Sequence, residues 1–462
     1  MRRLPLRIAV LLLGLLGNVA AAARLEVTPD HVLEGEPVSI RITGGAPGSQ
    51  VTVHSQSLIR SGSGAMIPFH GYATYRVGTS GTVDLATAAP IAGTYFGPDV
   101  RGLFWSQQRV VSEVAPLPEI LADAPAPDVD RIVLTVQVEG RVEDRAALNL
   151  ESSNVPVRRE EVRLPGLVGT FYTGPGATGR PVVVILHGSE GGIGYADWIA
   201  PMLVARGYTV FGLVYYAPQV RPVAGVPEAL NAIPVELLER ARTWLAARPE
   251  ADIDRFGIVG ASKGGEFALV LASIYPWIDA VAAFTPSAWV TQGFSYGNGE
   301  VGMGSSWSRG GRELPFIPEA GLAEEVRKFR VAGGEVRMAE VRLANMASAA
   351  PRTVAAAAIQ VERSRAAFLL AGGGDDQTAA SGRSVTAIAE RLRRVRYPRP
   401  VEALVYPEAG HLIVDSGWRP TTTHNQGPSQ DGGTPQADAR AQADSWARLT
   451  AFLERELHPP AR

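Results

Sequence analysis

The sequence of 462 residues contains no cysteine, and Lys263 and Lys328 are its only lysines. Without cysteine the chain has no disulfide bonds, no lipoprotein anchor and no zinc site built on thiolates. It also lacks an HExxH motif, so the sequence predicts no metal site and no cofactor. The formal net charge is −2 and becomes about −5 once the three arginines of the N-terminal segment are removed. This negative balance argues against a nucleic-acid-binding surface.

The chain also lacks an apolar run long enough to cross a membrane comfortably, and the apolar run at its N-terminus is short. Arg2, Arg3 and Arg7 precede an apolar stretch at 8–16, and four alanines follow at 20–23. This order is typical of a cleavable secretory signal, and the run is too short for a comfortable membrane span. We therefore predict a signal peptide over residues 1–23, a secreted or periplasmic mature chain, and no stable membrane span after its removal. An uncleaved anchor is the alternative interpretation.

The segment GASKG at 260–264 carries the clearest chemical signal in the chain. It matches the pattern G-x-S-x-G, follows the β-branched pair 258–259, and precedes an apolar helical pattern over 267–272. Strand, sharp turn and helix together are the setting of a nucleophile elbow, in which the serine hydroxyl is exposed on a strained turn. We therefore predict that Ser262 is a catalytic nucleophile rather than part of a structural glycine-rich turn.

The partners of such a serine follow it in the order acid, then histidine. His411 ends a strand-like run and a Pro-Glu-Ala-Gly loop, whereas His424 lies in a polar segment without an apolar pattern. His411 is therefore the predicted general base. The acid follows the apolar run 367–370, where the residues themselves leave Asp375 and Asp376 both open.

A second glycine-rich turn follows the buried strand pattern at 182–186. Backbone N–H groups at such a turn complete the oxyanion hole of many serine hydrolases. We predict that the N–H of Lys263 acts there with the N–H of Ser189 or Glu190. His187, in the same turn, is interpreted as structural.

The chain divides into two predicted domains. Residues 24–145 contain short β-rich runs separated by Gly, Pro and Ser turns, which predicts an all-β, immunoglobulin-like sandwich. From 158 to 462 strand and helix patterns alternate, which predicts an α/β-hydrolase domain with a mostly parallel sheet. An insertion at about 288–365 is predicted to form a lid or a pocket wall.

Several separated motifs resemble the acyl-CoA thioester hydrolase / bile acid-CoA:amino acid N-acyltransferase family over nearly all of the mature length. They are EPVSIRITGGAPGSQVTV, GASKGGE, VERSRA, YPEAGHLI and ADARAQADSWARLTAFL. The resemblance implies a β-sandwich followed by an α/β-hydrolase domain, with Ser262 as nucleophile, Asp376 as acid and His411 as base. It favours Asp376 over Asp375 because the segment 377–381 aligns with the helix start that follows the family's acid.

These observations predict an exported serine hydrolase that cleaves small-molecule acyl thioesters or esters through an acyl-enzyme. The fold and the triad leave a carboxylesterase, a lactone hydrolase and a peptidase open, because specificity is set by the pocket. An N-acyltransferase is a further alternative, although the family's conjugating branch tends to carry cysteine as nucleophile. A non-enzymatic envelope-binding protein is the alternative outside the enzymes.

Overall fold

A computed structural model describes residues 22–60, 66–110, 129–295, 301–322, 338–425 and 430–458. The predicted signal peptide therefore lies almost entirely outside the described residues. None of the helices within these ranges is both long enough and apolar enough to cross a membrane.

Two sheets make up the N-terminal part of the chain. The first is antiparallel in the order β1-β3-β6, and the second has the order β2-β10-β9-β4-β5-β7, with β8 also paired to β5. The strands are β1 Arg24–Thr28, β2 His31–Leu33, β3 Ser39–Thr43, β4 Gln50–Arg60, β5 Met66–Arg76, β6 Val83–Asp84, β7 Ala92–Gly93, β8 Gln108–Arg109, β9 Val129–Val138 and β10 Arg141–Glu151. A short helix, α1 (Gly102–Trp105), precedes β8.

Apolar residues from both N-terminal sheets share one core, because alternate side chains of each strand point to the same face. Ile40 and Ile42 of β3 meet Val51 and Val53 of β4 there. Strand β10 belongs to the second sheet and continues to Glu151, past the predicted limit at 145, because its last residues pair with both β9 and β2.

The C-terminal part of the chain is built on an eight-stranded sheet in the order β11-β12-β14-β13-β16-β17-β22-β23. All neighbouring pairs are parallel except the two that β12 makes, so β12 alone runs against the others. The strands are β11 Arg158–Leu164, β12 Leu167–Thr173, β13 Arg180–Leu186, β14 Thr209–Leu213, β16 Ala251–Ala261, β17 Ala280–Phe284, β22 Ala367–Gly373 and β23 Val401–Tyr406.

Helices cover both faces of this sheet, as a parallel sheet requires. The helices of this part are α2 Gly194–Val204, α3 Leu237–Ala246, α4 Lys263–Ile274, α5 Met338–Ser348, α6 Pro351–Ala357, α7 Ser381–Arg394 and α8 Pro435–Leu457. Val184 of β13 faces the core formed with α3, α4 and α7. Val183, its neighbour along the strand, faces the core formed with α2 and α8.

The predicted insertion follows β17 and contains short strands and helices of its own. Its strands are β18 Gln292–Phe294, β19 Val301–Ser305, β20 Trp307–Arg309 and β21 Arg312–Glu313; β20 also pairs with β15 (Ile233–Pro234). Helices α5 and α6 follow, and a 3-10 turn at Val361–Arg363 leads into β22. This alternation of a mostly parallel sheet with helices on both faces, preceded by a sheet-rich region, confirms the predicted α/β-hydrolase class. The immunoglobulin-like character of the N-terminal region stays a prediction.

Candidate active site

Ser262 lies on a sharp turn between β16 and α4. Its backbone has φ 54° and ψ −119°, a conformation that costs free energy for any residue other than glycine. Its N–H donates to the carbonyl of Phe284 at 2.8 Å, which anchors the turn to β17. A Cβ at Gly260 would meet the backbone of Gly264, and a Cβ at Gly264 would meet the carbonyls of the turn after β13. Glycine is required at both positions because the strand and the helix approach too closely for a side chain.

His411 is brought to Ser262 by the loop that follows β23. The N–H of His411 donates to the carbonyl of Asp431 at 2.8 Å. Its Nε2 atom lies 3.0 Å from the Ser262 Oγ, and its Nδ1 atom lies 2.9 Å from the Oδ2 of Asp376. A carboxylate can only accept, so Nδ1 carries the proton and Nε2 is free to accept the serine proton.

Asp376 is held by the turn between β22 and α7. Its Oδ1 accepts from the N–H groups of Thr378 and Ala379, at 2.9 and 2.8 Å. Its Oδ2 accepts from the N–H and the hydroxyl of Ser381 as well as from His411. Burial alone would raise the pKa of Asp376, but the charge and hydrogen bond of His411 and these donors lower it to about 2. The carboxylate is therefore ionised at neutral pH.

Asp375, the other candidate acid, is exposed and turned away from the histidine. Its Oδ1 accepts from the Gln377 side chain at 2.6 Å and its Oδ2 accepts from the N–H of Gly433 at 3.0 Å. The structure thus brings Ser262, Asp376 and His411 together and leaves Asp375 in a turn. The catalytic roles of the three residues remain predictions.

Opposing effects act on the imidazole of His411. Burial favours the neutral ring, but the adjacent Asp376 carboxylate and its hydrogen bond favour the cation. The second effect is larger, so the pKa of His411 is raised above its ordinary value.

Two backbone donors near the serine hydroxyl are available for an oxyanion. Lys263 is the first residue of α4, so its N–H has no acceptor within the helix. Among the described residues, neither this N–H nor that of Ser189 donates to any acceptor. The side chain of Glu190, the third predicted residue, folds back, and its Oε1 accepts from the N–H of Gly188 at 2.9 Å. The donor role of the Glu190 N–H stays a prediction. Part of the Glu190 residue is exposed, but its carboxyl group is packed against the turn. The loss of hydration there raises the pKa of Glu190.

His187 lies behind this turn rather than in the triad. Its ring stacks on Tyr215 with 3.9 Å between centroids, and its Nδ1 is 2.8 Å from the carbonyl of Gly188. Burial lowers the pKa of His187 to about 4, so the ring is neutral. His424 is also away from the serine, with its Nδ1 2.7 Å from Asp438.

A pocket of about 210 Å³ opens beside Ser262, and we call it the substrate pocket. The predicted insertion supplies part of its wall through Trp289, Thr291, Ile317 and Glu319. Helix α5 contributes Arg342, and the first turn of α7 contributes Arg383 and Ser384. The remaining lining residues are Ser262, Lys263, Glu266, Thr285, Ser287, Leu343, Met346, Ala379 and Ala380.

The floor of the substrate pocket carries a buried ion pair that the sequence reading missed. The Nζ of Lys263 lies 3.0 Å from Glu266, and Glu266 also accepts from the Trp307 indole at 2.8 Å and from the N–H of Thr291 at 3.1 Å. Burial lowers the pKa of Lys263, an effect that the charge of Glu266 opposes. The i,i+3 spacing of the pair on a helix was a signal in the sequence. Within the described ranges, no group of three or more His, Cys, Asp or Glu side chains is arranged to hold a metal ion.

Comparison with known proteins agrees with this architecture. The family model described as "BAAT / Acyl-CoA thioester hydrolase C terminal" matches residues 233–459, and "Acyl-CoA thioester hydrolase/BAAT N-terminal region" matches residues 35–163. The chain belongs to the acyl-CoA thioester hydrolase / BAAT family. The predicted resemblance is therefore confirmed, and so is the prediction of a hydrolase. The dienelactone hydrolase family model also matches residues 168–293.

Relatives of this family align over most of the chain. Acyl-coenzyme A thioesterase 5 of Mus musculus is 27% identical and is aligned over 92% of this chain and 95% of its own length. The mitochondrial acyl-coenzyme A thioesterase 2 of Homo sapiens is 28% identical over 91% of this chain and 82% of its own length. Among solved structures, an esterase of Pyrobaculum calidifontis is 14% identical, with a TM-score of 0.40 over 65% of this chain and 87% of its own.

Proposed function

We propose that this member of the family is a serine thioesterase in which Ser262, His411 and Asp376 form the catalytic triad. The distance of 3.0 Å between the His411 Nε2 and the Ser262 Oγ carries the proposal. It is a hydrogen bond between a base and a hydroxyl that stands on a strained turn, the arrangement that activates a serine. The acyl-coenzyme A thioesterases among the relatives support a thioester as the bond that is cleaved.

The first half-reaction forms an acyl-enzyme. His411 Nε2 accepts the proton of Ser262 while Oγ attacks the thioester carbonyl carbon, and the N–H groups of Lys263 and Ser189 donate to the resulting oxyanion. Collapse of the tetrahedral intermediate breaks the C–S bond, and His411 returns the proton to the departing thiolate. Asp376 stabilises the imidazolium between these two transfers.

The second half-reaction releases the acid. Water loses a proton to His411 and attacks the carbonyl carbon of the acyl-serine, and collapse returns the proton to the Ser262 Oγ. The products are a carboxylic acid and a thiol. Simple esters are a further expected substrate class, because the same groups act on a C–O bond.

A fluorophosphonate probe, combined with acyl-thioester hydrolysis, tests this function. The wild-type chain should be labelled at Ser262 and should release thiol from an acyl thioester, and Ser262→Ala should lose both properties. Hydrolysis without labelling, or equal hydrolysis by the variant, would assign the chemistry to another group.

We further propose that the chain is exported to the periplasm or the cell exterior. The arginines, the short apolar run and the alanines of residues 1–23 support this. Mass spectrometry of the native protein tests it, with a mature N-terminus near Arg24 expected. A full-length product found in the cytoplasm would contradict export and leave the proposed chemistry unaffected.

A further inference from the structure

The substrate pocket is small, and its lining includes charged as well as apolar side chains. A cavity of about 150 Å³ holds one benzene ring, so a pocket of about 210 Å³ has space for an acyl group of roughly eight non-hydrogen atoms. A long fatty chain needs a larger and predominantly apolar cavity. Five of the described lining residues carry charges: Lys263, Glu266, Glu319, Arg342 and Arg383.

Four of these charges form two ion pairs, each with a buried carboxylate. Lys263 and Glu266 have side chains that are 6% and 1% exposed, and their charged atoms lie 3.0 Å apart. The Nε of Arg342 lies 2.8 Å from the Oε1 of Glu319, which is 2% exposed. Buried charges are stable only when they are paired and hydrogen-bonded, so both pairs are built to persist with the pocket empty or filled.

Arg383 is the fifth charge and has no such partner. It lies in the first turn of α7, where it is exposed and lines the substrate pocket. Among the described residues, no hydrogen bond or ion pair engages its guanidinium group. The charges of the two pairs cancel, so Arg383 leaves the described lining residues with one positive charge in excess.

We propose that the substrate pocket selects a short acyl group that ends in a carboxylate, and that Arg383 binds this carboxylate. A guanidinium donates two parallel hydrogen bonds to a carboxylate, which gives both geometry and affinity. The inference rests on the proposed function, because an acyl group occupies this pocket only while it is bonded to, or about to react with, Ser262. The proposed specificity determinant is thus Arg383, an exposed residue of the pocket lining.

The test compares three thioesters of N-acetylcysteamine, which carries no phosphate: the glutaryl half-thioester, the pentanoyl thioester and the decanoyl thioester. Glutaryl and pentanoyl groups have the same chain length and differ in the terminal carboxylate. We expect kcat/KM for glutaryl to exceed that for pentanoyl at least tenfold, a difference of about 1.4 kcal/mol in transition-state binding. Decanoyl should be the poorest substrate.

Arg383→Gln should reduce the glutaryl-to-pentanoyl ratio to about one, mainly by raising KM for the glutaryl substrate. Arg393→Gln is the matched control, since Arg393 is an exposed arginine of the same helix that does not line the pocket. This control should keep the wild-type ratio. An unchanged ratio in Arg383→Gln, or a preference for decanoyl, would overturn the inference.

Coenzyme A thioesters of the same acids separate acyl recognition from leaving-group recognition. Arg383→Gln could lower kcat/KM equally for both coenzyme A thioesters while the glutaryl-to-pentanoyl ratio for the N-acetylcysteamine thioesters stays unchanged. In that case Arg383 binds phosphate rather than the acyl group, and the inference fails. Pentanoyl hydrolysis that depends on Ser262, without a glutaryl preference, overturns the inference alone. Absence of Ser262-dependent hydrolysis for every thioester overturns the proposed function itself.

Discussion

The Nε2 of His411 lies 3.0 Å from the Oγ of Ser262, although 149 residues separate the two in the chain. Each residue follows a parallel strand of the same sheet, β23 and β16, and the carboxyl ends of such strands lie at one edge. Asp376 follows β22, the strand between β17 and β23. The sheet therefore collects three loops into one site without any local sequence relationship between them.

Replacing Ser262 by alanine should lower kcat for thioester hydrolysis by about 10³-fold or more, because no nucleophile remains. The fold should persist, since alanine removes one oxygen atom from the turn. Ser273→Ala is the control, because Ser273 lies on α4, the helix that follows Ser262, and among the described residues its hydroxyl donates to the carbonyl of Val270 alone. A variant at Ser262 that is folded and retains most activity would refute the assignment.

Replacing either of the two adjacent aspartates by asparagine should have very different effects on kcat. Asp376→Asn should reduce kcat by about 10³- to 10⁴-fold, because an amide that faces Nδ1 cannot stabilise the imidazolium and favours the wrong tautomer. Asp375→Asn is the matched control and should retain activity, since its side chain bonds to Gln377 and Gly433. The reverse ranking of the two variants would transfer the acid role to Asp375.

The pH profile should report the environment of His411. The ring must be neutral to accept a proton, so kcat/KM should rise with pH through the pKa of His411. Because the Asp376 carboxylate raises this pKa against the effect of burial, the midpoint of the acid limb should lie above the ordinary value of about 6.5. In Asp376→Asn burial dominates and the midpoint of the residual activity should move down. If the midpoint in this variant equals that of the wild-type protein, a group other than His411 determines the acid limb of the kcat/KM profile.

A buried carboxylate takes part in the contact between the two parts of the chain. Glu34 has a side chain that is 2% exposed, and its Oε1 accepts from Arg419 at 2.9 Å. Arg419→Gln leaves this charge without its cation and should lower the free energy of unfolding by about 2–3 kcal/mol, less than for a fully buried pair. The double variant with Glu34→Gln should cost less than the sum of the single variants, with a coupling of at least about 1 kcal/mol.

Chemical denaturation of the four proteins in this cycle provides the measurement. Arg448→Gln is the control for loss of an arginine, because its partner Asp444 is exposed and the pair is expected to contribute less than about 0.5 kcal/mol. Additive effects at Glu34 and Arg419 would show that the contact is energetically unimportant.

The meeting of Ser262 and His411 was predictable because each residue is marked by local sequence, and their catalytic roles stay predictions. The turn at Ser262 needs glycines where the strand and the helix touch, so five consecutive residues, G-x-S-x-G, are enough to identify it. His411 was distinguishable from His424 because only His411 follows an apolar strand pattern. The fold class followed in the same way, from the alternation of strand and helix periods.

Two features could not be read from the residues alone: which of Asp375 and Asp376 faces His411, and which side chains line the substrate pocket. Asp375 and Asp376 are both aspartates and are adjacent in the chain. Only the path of the turn into α7 decides which of the two carboxylates faces His411. The carboxyl of Glu190 accepts from the N–H of Gly188, a contact that depends on the conformation of one turn and that the sequence did not indicate.

The sequence by itself determined the fold class, the family motifs and the order of nucleophile, acid and base, because these depend on residue periodicity and on short local patterns. Only the tertiary structure decided the lining of the substrate pocket. Lys263, Glu319, Arg342 and Arg383 come from separate segments, and their charges meet because the sheet and the insertion bring those segments together. Pairing and burial are properties of three-dimensional packing, and no sequence period encodes them.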